Sequence, residues 1–246
     1  MNIKGRSALV TGARRGIGLA IARELHARGA KVYAGVRDLS DIDEEPFAPV
    51  LLDITDPTQV AAAAERCGDV SIVVNNAGVL TGTSPLDGDS LDNARYELAV
   101  NYLGPLAISR AFAPVLRNNG GGALVNVLSV LSWVAPPRFG TYCAAKSAAW
   151  AMTNTLRVML RSQGTLVVAV DCGFVDTDMV AQIDAPKLSP AEVGRATVDA
   201  VTDGREEVLV DPFTKNVKAS LHDDLRLLYP GIQERYDASE VLSTAE

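Results

Sequence analysis

The sequence has little of what several classes of protein require. Its three cysteines, Cys67, Cys143 and Cys172, are too few and too far apart for a disulfide framework or a zinc site, and they suit a reducing compartment. The formal net charge is −7 and no block of lysine and arginine occurs, which argues against a nucleic-acid partner. No apolar run reaches the roughly 18 to 20 residues that span a membrane, and the start, MNIKGRSALV, lacks the pattern of a signal peptide. We therefore expect a cytoplasmic protein with no metal site and no membrane partner.

Histidine is scarce, and one nucleophile motif is missing. The two histidines, His26 and His222, have no such motif beside them, and the chain contains no G-x-S-x-G turn. Because a hydrolase of the α/β type carries its serine on that turn, this pattern argues against a serine hydrolase.

What is present is a regular alternation of short apolar runs and amphipathic stretches. The apolar runs predict buried strands at Ser7–Val10, Lys31–Val36, Val50–Leu52, Val70–Val74, Ala123–Leu128, Leu166–Val170 and Val208–Val210. The amphipathic stretches predict helices at Gly16–Arg28, Pro57–Arg66, Leu91–Leu116, Tyr142–Arg161 and Ser189–Thr202. Strand–helix–strand repetition implies right-handed crossovers, and hence an α/β fold in three layers with a doubly wound parallel sheet.

The ends of this pattern are less regular. RDLSDIDEEPFAP joins the second and third strands with room for only a short crossover. We expect one domain over residues 1–246, in which residues 211–246 form a helical extension with a helix at Lys215–Leu228. A break at Pro230-Gly231 and a polar end that frays follow it.

A glycine-rich turn follows the first strand. In SALVTGARRGIGLAIAREL, Gly12, Gly16 and Gly18 stand between a strand and a helix. Glycine permits a sharp turn and lets backbone amides approach a pyrophosphate at the helix N-terminus. Three glycines alone are a weak signal, but their position between strand and helix favours dinucleotide binding.

The charge near the second strand bears on which dinucleotide binds. A 2′-phosphate favours arginine, whereas a free 2′-hydroxyl favours a carboxylate at the end of that strand. Here Val36 holds the expected acidic position, Arg37 follows it, and Arg15 lies in the glycine turn. Asp38 is the dissenting residue. The sequence therefore predicts NADP(H), with NAD(H) as the alternative.

Asparagines mark two further places. Asn75, Asn76, Ala77 and Gly78 follow the fourth strand, where small residues admit a flat ligand, although a polar turn is the ordinary explanation. Asn101 is a poor residue for the middle of a helix, and we expect it to lie at the surface or to cause a local kink.

Taken together, these segments resemble the single-domain branch of the short-chain dehydrogenase/reductase family. The matching motifs are TGARRGIG, NNAG, Asn101, Ser129 and YCAAK, in order, with Ser129 thirteen residues before Tyr142. The resemblance covers Arg6 to about Asp211 and implies a Rossmann-type sheet, NAD(P)(H), hydride transfer and a homodimer or homotetramer. In one place it departs from the family pattern, because Cys172 stands where the family has proline in DCGFVDTDM.

The resemblance implies a set of site residues. Its catalytic positions correspond to Asn101, Ser129, Tyr142 and Lys146. Its cofactor positions correspond to Gly12, Arg14, Arg15, Gly16, Ile17, Gly18, Arg37, Asp53, Ile54, Asn75, Ala77, Gly78, Tyr142, Lys146, Gly173, Val175 and Thr177. Its substrate side corresponds to Ser129, Leu131, Trp133, Phe139, Phe174 and Met179, an apolar set that favours a bulky hydrophobic ketone or aldehyde, although each of these residues is as readily explained by packing.

The catalytic set has a direct chemical interpretation. Tyr142 and Lys146 share one helix face at i and i+4, so the ammonium is expected to lower the phenol pKa and let Tyr142 act as general acid. Ser129 would orient the substrate carbonyl, and Asn101 would hold a water for proton resupply. Ser132 is a rival hydroxyl at the wrong spacing. The sequence thus predicts a carbonyl reductase or secondary alcohol dehydrogenase.

Two other functions remain open at this point. One is a dinucleotide-sensing protein without turnover, which would have no need of all four catalytic residues. The other is a sugar epimerase of the same superfamily, which normally has a large C-terminal substrate domain, whereas about 35 residues follow Asp211 here. The segment Phe174–Lys187 is a candidate lid, and the outer faces of Leu91–Leu116 and Tyr142–Arg161 are candidate oligomer contacts.

Overall fold

A parallel sheet with helices on both faces forms the centre of the protein. The computed structural model describes residues 1–42, 46–86, 88 and 90–243. Within these residues, seven strands pair in the order β3-β2-β1-β4-β5-β6-β7, all parallel. They are β1 (Ser7–Thr11), β2 (Lys31–Val36), β3 (Ala48–Leu51), β4 (Val70–Asn75), β5 (Gly122–Val127), β6 (Thr165–Asp171) and β7 (Glu207–Leu209). The predicted doubly wound, Rossmann-type sheet is confirmed.

Helices cover the sheet and continue past it. They are α1 (Gly16–Ala27), α2 (Pro57–Arg66), α3 (Asp92–Leu98), α4 (Gly104–Asn118), α5 (Gly140–Met159), α6 (Pro190–Asp203), α7 (Pro212–Ser220), α8 (Asp224–Leu227) and α9 (Tyr229–Ser243). Side chains in the starts of α2 and α6 explain where these helices begin. Asp56 accepts hydrogen bonds from the first turn of α2, and Ser189 and Glu192 form a reciprocal capping box on α6.

Two apolar layers hold the helices against the sheet. On one face, Ile21 of α1 and Val193 of α6 belong to a buried cluster with alternate side chains of β1 and β6. On the other face, Ile108 and Phe112 of α4 are fully buried against the remaining side chains of the central strands, among them Leu124. Because both faces are covered, the strands need apolar residues at nearly every position, as their sequences have.

Three predicted boundaries are wrong. Leu91–Leu116 is not one regular helix, because a π-helical turn at Ala99–Leu103 separates α3 from α4. The C-terminal helix does not run unbroken over Lys215–Leu228, since a 3-10 turn at Leu221–Asp223 divides it. Pro230 does not end a helix either, because it lies in the first turn of α9, where its missing N–H is not required.

The remaining predictions here have mixed outcomes. The short crossover between β2 and β3 contains a 3-10 turn, Leu39–Ile42, and residues 43–45 lie outside the described ranges. The interpretation of residues 1–246 as one domain stays a prediction. Strand order reverses between β1 and β4, which is the switch point where α/β sheets bind ligands.

Candidate active site

A cavity of about 560 Å³ lies beyond the carboxyl ends of the strands, at this switch point. Most of the predicted site residues line it. They are Gly12, Arg14, Arg15, Gly16, Ile17, Arg37, Asp53, Ile54, Ala77, Gly78, Ser129, Leu131, Tyr142, Lys146, Gly173, Phe174, Val175, Thr177 and Met179. Five predicted residues are not among the lining residues: Gly18, Asn75, Asn101, Trp133 and Phe139. The fold therefore brings the predicted cofactor and catalytic groups to one cavity.

The glycine turn forms one wall of the cavity and leaves no room for side chains. Gly12 and Gly16 both have positive φ angles, +65° and +57°, which favour glycine. A Cβ on Gly16 would lie 3.0 Å from Thr177 Cγ2, and a Cβ on Gly12 would lie 3.0 Å from Ala77 Cα. Such a close backbone approach is what a pyrophosphate site requires.

The N-terminus of α1 opens beside this turn. Its N-cap residue, Arg15, is extended and gives no side-chain hydrogen bond to the first turn, whereas α2 and α6 are capped by Asp56 and Ser189. The first N–H groups of α1 are thus free of a side-chain cap and carry the positive end of the helix dipole. This wall fits the phosphates of a dinucleotide.

Gly18 and the two asparagines after β4 support the wall from behind. A Cβ on Gly18 would lie 2.4 Å from Gly12 O and from Asn76 Nδ2, so Gly18 serves close packing instead of lining the cavity. Asn76 donates from Nδ2 to Thr11 O at 3.0 Å and to Gly12 O at 3.2 Å. Asn75, predicted as a cofactor contact, points into the sheet–helix core and donates to Asn126 Oδ1 at 2.8 Å.

Ser129, Tyr142 and Lys146 form another wall. Ser129 ends the run of β5 and caps a 3-10 turn, accepting from Leu131 N at 3.1 Å. Tyr142 lies in the first turn of α5, and Lys146 lies one turn later. All three are buried. Lys146 Nζ donates to Val127 O at 2.9 Å and lies 5.7 Å from the centroid of the Tyr142 ring.

Burial dominates the titration of these groups. Burial raises the pKa of Tyr142 above its ordinary value, the neighbouring Cys172 thiol acts in the same direction, and a hydrogen bond with Ser129 opposes them. Burial also lowers the pKa of Lys146 to about 8. The expectation that Lys146 lowers the phenol pKa is therefore wrong for this structure, because the ammonium donates to the Val127 carbonyl and the ring is fully desolvated.

Asn101 lies in the π-helical turn and is buried, so the expectation of a surface position is wrong and that of a local distortion is confirmed. Its Oδ1 accepts from Val79 N at 3.0 Å, and its Nδ2 donates to Val79 O at 2.9 Å. A Cβ on Gly78 would lie 3.0 Å from Asn101 Oδ1 and 3.9 Å from Lys146 Nζ. Asn101 thus fixes the chain where it leaves β4, next to Lys146. The water-holding role stays a prediction.

Charged residues surround the far end of the cavity, past β2. Arg14 pairs with Asp41 at 3.3 Å, and Arg15 pairs with Asp178. Asp38 accepts from the N–H and the hydroxyl of Ser40, which lowers the pKa of its carboxyl and occupies one of its oxygens. Within the described part of the chain, Arg37 has no ion-pair partner.

The apolar end of the cavity differs from the prediction. Leu131, Phe174 and Met179 line it as expected, and the sequence analysis missed Leu80, Tyr96, Val100, Cys172 and Val180. Their positions depend on how the loop after β4 and helix α3 pack, for which the sequence offers no local signal. Asn76 was also missing from the predicted set, although it belongs to the NNAG motif.

Trp133 and Phe139 do not reach the cavity. Trp133 packs into an apolar cluster with Val217 and Ile232 of the C-terminal segment, and Lys218 Nζ lies 4.5 Å from the centroid of its ring. Phe139 ends a 3-10 turn just before α5, with the Arg138 guanidinium 5.6 Å from its ring centroid. The C-terminal helices therefore take up the tryptophan that the sequence assigned to the substrate side.

The candidate lid is tied at both ends. Leu188 N donates to Phe174 O at 2.9 Å, and Asp176 N donates to Leu188 O at 2.8 Å. Its closure stays a prediction. Over the described ranges, no three histidine, cysteine or acidic residues are grouped so that a metal ion would fit among them. None of the helices in those ranges is both long and apolar enough for a membrane span.

Comparisons with known proteins agree on the family of this architecture. A family model described as short chain dehydrogenase matches residues 6–188. The 1-deoxy-11-beta-hydroxypentalenate dehydrogenase of Streptomyces exfoliatus is 34% identical over 207 residues, 76% of this chain and 74% of that protein. A short chain dehydrogenase from Burkholderia cenocepacia J2315, solved in complex with NADP, is 38% identical, with a TM-score of 0.89 over 94% of this chain and 99% of its own. A Burkholderia phymatum short chain dehydrogenase/reductase solved with NAD shares the fold, at 24% identity and a TM-score of 0.80 over 92% of this chain and 96% of its own.

Proposed function

The chain belongs to the short-chain dehydrogenase/reductase family of oxidoreductases, and on that premise we propose that it is an NADP(H)-dependent carbonyl reductase or secondary alcohol dehydrogenase. One observation carries the proposal. Ser129, Tyr142 and Lys146 line the same cavity as the glycine turn and the uncapped start of α1. A dinucleotide site and a proton donor thus share one space.

The cofactor proposal follows from the walls already described. Backbone N–H groups of the turn Gly12–Gly16 and of α1 would hold the pyrophosphate. Arg37 would bind a 2′-phosphate, because it lines the cavity and has no carboxylate partner among the described residues. Asp38, the residue that would favour NAD(H), already accepts two hydrogen bonds from Ser40. The NADP in the Burkholderia cenocepacia relative supports the same preference.

The chemistry assigns one role to each residue. A bound NADPH supplies the hydride that reduces the carbonyl carbon. Ser129 donates a hydrogen bond to the carbonyl oxygen and stabilises the negative charge that develops there. Tyr142 donates its phenolic proton to that oxygen as general acid, which leaves a phenolate. The Lys146 ammonium stabilises the phenolate, and alcohol oxidation runs through the same steps in reverse.

The substrate class follows from the apolar end of the cavity. Leu80, Leu131, Phe174 and Met179 line it beside the catalytic groups. Apolar walls with a few polar groups favour hydrophobic small molecules. We propose that the substrate is a hydrophobic ketone or its alcohol, bound with its oxygen between Ser129 and Tyr142.

The test is a turnover assay with both cofactors. The purified protein is mixed with NADPH or NADH and with cyclohexanone, 2-octanone, acetophenone or benzaldehyde, and the nicotinamide absorbance is followed. We expect NADPH oxidation with at least one carbonyl, a rate lowered by roughly a thousandfold or more in Tyr142→Phe, and unchanged NADPH affinity by fluorescence titration. Tyr102→Phe, outside the cavity lining, is the matched control. Tight NADPH binding without turnover across the panel would favour the dinucleotide sensor instead.

Self-association is proposed on separate grounds. Leu103 beside α4 and Val158 and Met159 at the end of α5 are exposed apolar side chains on the helices that the sequence marks as contact faces. Such surface is normally covered by a partner. We propose a homodimer or homotetramer, and light scattering on a gel-filtration column reads its mass directly. A monomer at all concentrations would refute the assignment.

A further inference from the structure

Glu97 is a buried carboxylate that the proposed chemistry does not use. It lies on α3, directly after the cavity residue Tyr96, and it is completely shielded from solvent. Its Oε2 has no hydrogen-bond partner. Because a carboxylate without water or partners is costly to bury, this residue calls for a compensating role.

Its other oxygen holds the loop that leaves β4. Thr81 N donates to Glu97 Oε1 at 2.7 Å, and Thr81 Oγ1 donates to the same oxygen at 2.8 Å. The residue just before Thr81 is Leu80, which lines the apolar end of the cavity. Glu97 therefore fixes the backbone at the point where the loop presents its side chain to the site.

The same loop is tied to the catalytic helix. The hydroxyls of Thr81 and Thr83 lie 2.9 Å apart, and Thr83 O accepts from Thr141 Oγ1 at 3.0 Å. Thr141 directly precedes Tyr142. A continuous hydrogen-bonded chain, here called the threonine brace, thus runs from Glu97 through Thr81 and Thr83 to Thr141.

A second link acts nearby on the same loop. Asn101, four residues after Glu97, holds Val79 through both of its amide atoms. Glu97 and Asn101 together clamp two positions of one loop, and only Asn101 was expected from the family resemblance. The buried charge is thus placed where loop position matters to the site.

We propose that Glu97 is a positioning residue for the carbonyl substrate. Through the threonine brace it holds Leu80 against the apolar end of the cavity and joins the loop to the first turn of α5, where Tyr142 lies. This role rests on the carbonyl reduction proposed above. It predicts a loss of substrate binding, with the cofactor site left intact, when the brace is cut.

The test compares Glu97→Ala, which removes the acceptor, with Glu97→Gln, which keeps one. The first readout needs no ligand, since hydrogen–deuterium exchange of the peptide spanning Val79–Thr83 reports on the Thr81 amide. We expect exchange there to quicken roughly tenfold or more in Glu97→Ala and to stay near wild type in Glu97→Gln. Thr81→Ala, which leaves α3 unchanged, replaces Glu97→Ala if that variant does not fold.

The second readout uses the panel ketone for which the wild type has the highest kcat/KM. We expect KM to rise about tenfold in Glu97→Ala, with kcat and the NADPH dissociation constant within about twofold of wild type, and rescue in Glu97→Gln. Unchanged exchange at Thr81, or equal losses in both variants, would overturn the proposal. A wild type that reduces no ketone counts against the proposed function alone, because the exchange arm is read without substrate.

Discussion

Two buried aspartates on either side of Cys172-Gly173 lead to opposite expectations for the same substitution. Asp171 ends β6, is fully buried and has no hydrogen bond to either carboxylate oxygen. Asp211 is also buried, yet it accepts from Gly173 N at 2.9 Å, Thr214 N at 2.9 Å and Thr214 Oγ1 at 2.7 Å. We predict that Asp171→Asn stabilises the protein at neutral pH and that Asp211→Asn destabilises it.

The magnitude for Asp171 follows from its titration. Burial, assisted by the charge of Glu207, raises the pKa of Asp171 to about 8 from a model value of 3.8. Between these two values the folded state holds a proton that the unfolded state has lost, so stability falls as pH rises, by about 1.4 kcal/mol per pH unit. At pH 7 the wild type has thus lost about 4 kcal/mol, which the asparagine variant retains.

For Asp211 the sign is reversed. Burial acts to raise the pKa of Asp211, but the hydrogen bonds from Gly173 and Thr214 outweigh it and hold that pKa below its ordinary value. Its stabilisation is therefore complete above the unfolded pKa and is lost as pH falls through the folded one. Exchanging the carboxylate for an amide should cost about 2 kcal/mol at pH 7.

The assay is urea denaturation of wild type and both variants at half-unit steps from pH 4 to pH 9. We expect the stability difference between Asp171→Asn and wild type to grow with pH up to about pH 8 and then level off. A difference that is independent of pH would refute the reasoning, because it would mean that Asp171 is ionised in the folded protein throughout. Asp211→Asn, measured alongside, controls for the generic effect of a buried amide.

Three further outcomes are expected. Arg37→Ala should weaken NADPH binding roughly 10- to 100-fold and NADH binding little; equal losses in fluorescence titrations would contradict the cofactor assignment. Because the pKa of Lys146 is lowered to about 8, its ammonium is lost above that pH, and kcat/KM for ketone reduction should fall there; a flat profile to pH 10 would exclude this. Gly18→Ala, whose Cβ would lie 2.4 Å from Gly12 O, should lower Tm and abolish NADPH binding, whereas Gly204→Ala, with open space around it but φ of +75°, should lower Tm alone.

The features predictable from the sequence are those encoded by neighbouring residues. Strand β2 has the predicted bounds, since the run Lys31–Val36 is apolar and β-branched enough to specify itself. The caps at Asp56 and Ser189 and the glycine turn are likewise local signals, because each motif satisfies backbone groups within one turn of itself. The catalytic residues followed from a spacing that only a family resemblance made meaningful.

The features missed depend on contacts between distant segments. Nothing near Trp133 indicates that the C-terminal helices cover it, and nothing near Glu97 indicates that a loop threonine sixteen residues away satisfies it. The pKa of Tyr142 was misjudged for the same reason, since helix spacing places Lys146 nearby but does not reveal that its ammonium donates to the Val127 carbonyl. Burial of both side chains then decided the direction of the shift.

The π-helical turn at Ala99–Leu103 makes this stretch of chain intolerant of changes in length. A regular α-helix advances about 100° per residue, so deleting one residue here would restore ordinary winding and swing one end of the helix around its axis by that angle. Either Asn101 would turn away from Val79 or Phe112 would leave its buried place against the sheet. The extra residue works as a fixed angular offset between catalytic site and core, and homologues that keep both contacts should show no gaps across it.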